Sequence, residues 1–197
     1  MARRSVLWFL LLSAALVFPA SASQFIQVPF DDVARGAGVV VRGTLGPVTS
    51  AWDDNHEVIY STARIDVSRY FAGEGPRTLV VREVGGTVGD YTQEAIGFPT
   101  LREGQEVVLF LARWDDSSDW RIHDYTQGKY LVRNIGGKET LLLDPVTQGH
   151  ERAIGGGRDA HVMSVDEQPG LSIDEFAAMV RAARDGAGHA DRGDRKQ

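Results

Sequence analysis

The sequence contains no cysteine. That removes disulfides, thiolate metal ligands and a cysteine nucleophile together. An excess of positive charge is also missing, since 21 Lys and Arg stand against 27 Asp and Glu. Binding to a phosphate backbone rests on cationic contacts, so this balance argues against nucleic acid as a partner. Histidines number only 5, and no His-Glu-x-x-His pair or Gly-x-Ser-x-Gly elbow occurs among them or near them. The strongest apolar run, residues 6–18, covers 13 positions, short of the roughly 20 that a membrane-crossing helix needs.

That run has another use. It follows Arg3 and Arg4 and precedes Ala20-Ser21-Ala22, the charge, length and small-residue spacing of a secretory signal peptide over residues 1–22. Cleavage near Ala22 would leave a secreted or periplasmic chain with no stable membrane insertion. Residues 1–22 carry two arginines and no acid, so their removal takes the net charge from −6 to about −8. Without disulfides, such a chain depends on its apolar core alone.

From residue 39 to 144 the pattern is that of strands. VVVRGTL closes at Gly46-Pro47. In HEVIYSTARIDVSRYF, Ile59, Ser61, Ala63, Ile65 and Val67 alternate with mostly polar neighbours, the period of a half-buried strand. Its length predicts a strand that curls around a barrel, with Ser61-Thr62-Ala63 permitting the bend. TLVVREV forms a third strand. EVVLFLAR is apolar almost throughout and predicts a central strand covered on both faces. SDWRIHDYT and KYLVRNI follow, and Gly136-Gly137 predicts a two-residue hairpin into KETLLLD. PFDDVARGAG predicts a short helix over one barrel end. LSIDEFAAMVRAAR predicts a helix over 171–184, with Ser172 and Glu175 as a capping box and Phe176, Met179, Val180 and Ala183 as its apolar stripe. Residues 23–184 are then one domain, and 185–197 a disordered tail.

The segment VREVGGTVGD poses the main functional question. A phosphate loop needs glycines leading directly into a helix whose amides face the anion. Here Gly97, Pro99 and Gly104 preclude such a helix, and no Gly-Lys-Ser/Thr is present. Gly85, Gly86 and Gly89 therefore read as structural, letting a strand turn into a loop that crosses the barrel mouth. Loops of this length are usually functional when ordered. Tyr91 and Phe98 on it, with Trp52 and Trp114 at neighbouring strand ends, are the candidate partner- or ligand-binding residues. The competing expectation for the loop's apolar groups, which include Leu101, is that they plug the barrel end.

Other signals are weaker. Asp53-Asp54-Asn55 and the acidic stretch from Asp115 to Asp119 supply calcium-type oxygens without calcium-loop spacing, and these are also ordinary turn residues. His123 and Asp124 are neighbours on a predicted strand, which sends them to opposite faces. No metal site, cofactor or catalytic residue is assigned. Asp90, Glu94 and Asp124 are the acids available to a hydrolase. The triplet at 192–194 matches an adhesion motif, but nothing around it supports that use.

The order VVVRGTL, a long strand ending near RYFAGEGP, LVVREVGGTVGD, FPTLREGQEVVLFL and YTQGKYLV resembles a group of uncharacterised exported bacterial proteins. The likeness covers about residues 28–145. It implies an OB-like or TIMP-like β-barrel associated with matrixin-type metalloproteases. Tissue inhibitors of metalloproteases chelate zinc through an N-terminal cysteine and are stapled by disulfides. That mode is closed to a cysteine-free chain, so a protease-related role would run through loops or as a chaperone for the enzyme.

The expectation is thus a mainly β protein, a small OB-like barrel of five to six strands with a C-terminal helix. Its expected role is non-enzymatic binding of a protein partner, a secreted protease among the options, or of an extracellular ligand. A carboxylate-dependent extracellular hydrolase and a structural module of the cell envelope are the alternatives. The hydrolase requires acids facing one another in a pocket; the binder requires exposed aromatic groups on a loop.

Overall fold

The computed structural model describes residues 28–95, 97–115, 117–144, 153–154, 161–162 and 170–193. The expected signal peptide and most of the stretch from 145 to 169 lie outside the described residues. The chain runs through helix α1 (Phe30–Gly36), strands β1 (Val39–Trp52), β2 (Ile59–Ala72) and β3 (Thr78–Val84), and a small hairpin of β4 (Gly86–Val88) and β5 (Tyr91–Gln93). It continues through β6 (Glu106–Arg113), β7 (Trp120–Ile122), a 3-10 turn at Tyr125–Gly128, β8 (Lys129–Ile135) and β9 (Lys138–Leu143). Three two-residue strands follow, β10 (Ala153–Ile154), β11 (His161–Val162) and β12 (Leu171–Ser172), before helix α2 (Ile173–Gly193). The mainly β class with a C-terminal helix is as the alternation predicts.

Strand β6 explains the architecture. Successive side chains on a strand point to opposite faces, so its unbroken run of buried residues from Val107 to Leu111 needs two cores. Val107, Leu109 and Leu111 join one cluster with Val41, Leu45, Ile65 and Val81. Val108 and Phe110 join the other, with Val40, Phe176 and Val180. The first lies within a circuit of pairings. β1 pairs with β2, β2 with β3, β3 in parallel with β7 through Val81 and Trp120, β7 with β6, and β6 back with β1. From the Val107–Leu109 half of β6, pairing also extends outward through β8, β9 and β12.

The second cluster is the outer face, covered by the helices. Phe176 of α2 stands with its ring centroid 5.2 to 5.7 Å from Phe30, Phe71, Phe110 and Tyr130. The capping box forms: the Glu175 amide donates to Ser172 Oγ at 3.2 Å, and the Glu175 carboxylate accepts from the Ser172 amide at 3.0 Å. Gly136 and Gly137 take φ of 59° and 82° in the β8–β9 turn, the left-handed values that a two-residue hairpin asks for.

Three local expectations need correction. Gly46-Pro47 does not end β1; the strand runs on to Trp52, with a register shift between Leu45 and Val48 that accommodates the proline. At Ser61–Ala63 both ladders stay in register, and the Leu45/Val48 shift lies directly beside this stretch, opposite Ala63 and Ile65; two further shifts, at Val40/Val41 and Arg42/Gly43, lie toward the other end of β2. Helix α2 continues to Gly193, past Arg184 and into the stretch expected to be disordered. Met179, placed on the apolar stripe, is 37% exposed, while Phe176, Val180 and Ala183 are buried.

Candidate functional site

The glycine-rich segment begins where β3 ends. Gly85 has φ of 104° and Gly86 of 142°, a backbone that only glycine adopts without strain. The Gly85 amide donates to the Ile59 carbonyl at 2.7 Å and so continues the β2–β3 ladder. Gly86 pairs with Gln93, and a Cβ there would fall against the hydroxyls of Ser61 and Ser50. Gly89, at φ 58°, makes the turn between β4 and β5. The segment is therefore a hairpin laid across the strand ends. After Gly89 the chain enters a strand, not a helix, so no helical amides face a common anion centre.

Past the hairpin, the chain is fastened to the sheet. The Gly104 amide donates to Leu45 O at 2.8 Å, and the Leu45 amide to Gln105 O at 3.0 Å. Leu101 is buried in the inner cluster, which fits the plug expectation for that residue. The ammonium of Lys129, a fully buried side chain, donates to Thr100 O at 2.6 Å and Gln105 Oε1 at 2.9 Å, and pairs with Asp144 at 2.7 Å. A buried charge persists only with such partners. Desolvation pulls the Lys129 pKa below its ordinary value, against the opposing pull of Asp144.

Between the hairpin and the strand ends lies a cavity of about 180 Å³. Ser61, Glu83, Thr92, Gln93, Glu94 and Phe98 are on its wall. Glu83 is 2% exposed, and its carboxylate accepts from the Ile122 amide. Burial pushes its pKa up to about 8, against that hydrogen bond and the charges of Arg121 and Lys129, which lower it. Ser61, on β2, is the register partner of Glu83 on β3 and of Ser50 on β1. Its hydroxyl donates to Gly85 O at 2.7 Å and lies 3.0 Å from the Ser50 hydroxyl. The side-chain oxygen of Gln93 accepts from the Ile59 amide at 2.5 Å.

The four candidate aromatic residues do not form one surface. Tyr91, 68% exposed at the hairpin, lies 6.0 Å from Trp52, whose ring in turn stacks 6.3 Å from His56. Phe98 is half-buried and meets the exposed Tyr125 edge-on at 4.8 Å. Trp114 sits apart from both. Its indole N–H donates to Arg82 O at 2.9 Å, and the Arg82 guanidinium lies 5.0 Å from its ring and 4.9 Å from Tyr60. Arg82 points away from Glu83 because adjacent strand residues face opposite sides, so Trp114 belongs to the outer side of β3.

The acids divide as well. Asp90 is exposed at the hairpin turn, Glu94 is exposed at the cavity wall, and Asp124 follows β7. The expectation that His123 and Asp124 face apart is overturned: β7 stops at Ile122, Asp124 is left-handed at φ 54°, and His123 Nε2 comes within 3.2 Å of Asp124 Oδ2. Asp53 is a turn residue, its carboxylate accepting from the Glu57 and Val58 amides at 2.7 and 3.0 Å. Among the described residues, no group of three His, Asp or Glu side chains stands ready to hold a metal, and no helix is long and apolar enough to cross a membrane.

Glu83 and Lys129 were absent from the sequence-based candidates, although parity marked them. Leu79, Val81 and Glu83 share one face of β3, and Lys129 shares a face of β8 with Leu131. No family model matches the sequence, and no curated protein matches it.

Proposed function

We propose that the protein is an exported, non-enzymatic binding or accessory protein that engages a protein partner or extracellular ligand through the β4–β5 hairpin and the adjoining strand ends. In this reading the strand circuit serves as an OB-like barrel, and a secreted protease is the partner class that the resemblance implies. One observation carries the reading: Tyr91 holds a large ring in water on a support that hydrogen bonds fasten at its base. A side chain presented on a rigid element loses little entropy on docking, and desolvated aromatic rings dominate binding energy. Trp52 is half-buried beside it and extends the same contact face.

The test is recovery of partners by the tagged protein from its own culture medium, against a variant carrying Tyr91→Ala and Phe98→Ala. Loss of one or more specific partners is expected; recovery of every partner by the double variant would overturn the reading. A carboxylate-dependent hydrolase has one observation in its favour, the raised proton affinity of Glu83 at a cavity wall. It would need a second acid in a concave setting, and Glu94, the other acid on that wall, is exposed. Hydrolysis of any extracellular substrate that disappears in Glu83→Gln would restore the enzyme reading.

A further inference from the structure

We propose that the cavity beneath the β4–β5 hairpin receives a hydrogen-bond-donating organic cation, an alkylammonium or alkylguanidinium group, carried by a small molecule or by the side chain of a docked protein. This goes beyond the docking role of Tyr91 and stands whether or not a partner binds there.

Complementarity leads to this ligand chemistry. Two acidic residues, Glu83 and Glu94, are among those lining the cavity, together with hydroxyl- and amide-bearing residues, and no Lys, Arg or His lines it. Part of the donor supply is already committed, since the Ser61 hydroxyl donates to Gly85 O. The wall is therefore rich in acceptors and poor in donors. Ammonium and guanidinium groups bring three and five N–H donors and no acceptor, which is the matching inventory. At about 180 Å³ the space falls below the roughly 300–1,000 Å³ of sites for drug-sized ligands. It fits the end of a flexible chain.

The charges around Glu83 permit such a guest. On β8, the Lys129 ammonium is already paired with Asp144 beyond β9 and bonded to Thr100 O and Gln105. Arg121 on β7 acts on Glu83 with positive charge, and Arg102 acts likewise on Lys129. Glu94 adds negative charge on the hairpin side. With the cavity empty, burial keeps the Glu83 carboxyl protonated at neutral pH, its pKa lying at about 8. A seated cation makes the ionised form favourable, so Glu83 releases its proton to solvent as the guest enters. Binding and proton release are then linked, and affinity rises with pH up to and through 8.

The experiment is an NMR titration of the purified protein with n-butylammonium and n-butylguanidinium chloride at pH 6 and pH 9, with n-butanol as the neutral control at matched salt. Saturable shifts at the Thr92, Gln93 and Ala95 amides are expected with at least one cation and not with butanol. A carboxyl with a pKa of about 8 is about one-hundredth ionised two units lower, so affinity at pH 6 should be roughly a hundredfold weaker than at pH 9. Glu83→Gln keeps the acceptor for the Ile122 amide, and should abolish that pH dependence. Tyr91→Ala should leave cation binding unchanged, which separates this site from the docking face. A short capped peptide with a central lysine or arginine tells the sources apart: tighter binding than the free cation assigns the site to a protein side chain, and equal binding to a free amine. Absence of saturable shifts with both cations at pH 9, equal shifts with butanol, or a pH profile unaltered in Glu83→Gln would each overturn the proposal.

Discussion

The outer face under helix α2 and the mouth under the β4–β5 hairpin are built from one sheet and sealed by opposite means. On the outer face, Phe176 gathers Phe30, Phe71, Phe110 and Tyr130 into edge-to-face contacts, with the Arg69 guanidinium over the Phe71 ring and no buried carboxyl or ammonium group among them. At the mouth, a carboxyl and an ammonium are buried, Glu83 and Lys129, and hydrogen bonds rather than apolar rings hold the cover in place. An apolar seal is indifferent to pH and offers a ligand little beyond area. A polar seal leaves stability dependent on protonation and keeps hydrogen-bonding groups at hand. That availability of polar groups is why the binding role is proposed for the mouth and not for the helix-covered face.

The pH dependence of unfolding is the strongest way to test that contrast. Glu83 has a raised folded-state pKa, from 4.5 to about 8. Its stabilising contribution is therefore complete below about 4.5 and declines as pH climbs through 8, because the folded state holds a proton that the unfolded state has released. The limiting size is roughly 4–5 kcal/mol over that window, reduced by any relaxation of the site. Urea unfolding from pH 5 to pH 9 should show this decline in the parent protein and a flatter profile in Glu83→Gln, with the variant the more stable at pH 9. A parent profile that rises across the window would contradict the burial of this carboxyl.

On the opposite face, Phe176→Ala should cost about 3–5 kcal/mol, the range for deleting a buried aromatic side chain. The loss should be the same at pH 5 and pH 9. A pH-dependent loss would mean that the two faces are less separate than their clusters show. Lys129→Met comes next, at about 3 kcal/mol, chiefly because it strands the buried Asp144 carboxylate. Adding Asp144→Leu should recover most of that loss, and the recovery is read from the same denaturant midpoints. Smaller again is Ser172→Ala, which removes the cap of α2 and should cost about 1 kcal/mol.

The outer face was the more legible of the two in the sequence. Capping residues and a helical stripe are local signals, and Ser172, Glu175, Phe176 and Val180 behave as their spacing indicates. The mainly β class was legible for a similar reason: alternation from Ile59 to Val67 and the doubly buried run in β6 are short-range patterns. The mouth depends on encounters between distant segments. Nothing near Gly46-Pro47 tells that a partner strand will absorb the proline in a register shift, and nothing near Lys129 announces Thr100 or Asp144. Glu83 was the missed opportunity, since its parity with Val81 placed an acid on the inner face. For Trp114, nearness to a strand end in sequence is not nearness to the mouth, since its contact with Arg82 puts it on the other side of β3.

The smallest effect on stability belongs to the residue with the largest proposed part in docking. Tyr91→Ala removes a side chain that is mostly in water, so the unfolding free energy should move by no more than about 0.5 kcal/mol. Partner recovery should nevertheless fall by at least about thirtyfold, as for truncation of an aromatic anchor worth 2 kcal/mol or more. Met179→Ala on α2 supplies the comparison, because Met179 is also exposed but stands on the apolar-sealed face. It should leave recovery unchanged. If Met179→Ala reduced capture and Tyr91→Ala did not, docking would belong to the helix, and the hairpin would serve only as a lid over the cavity.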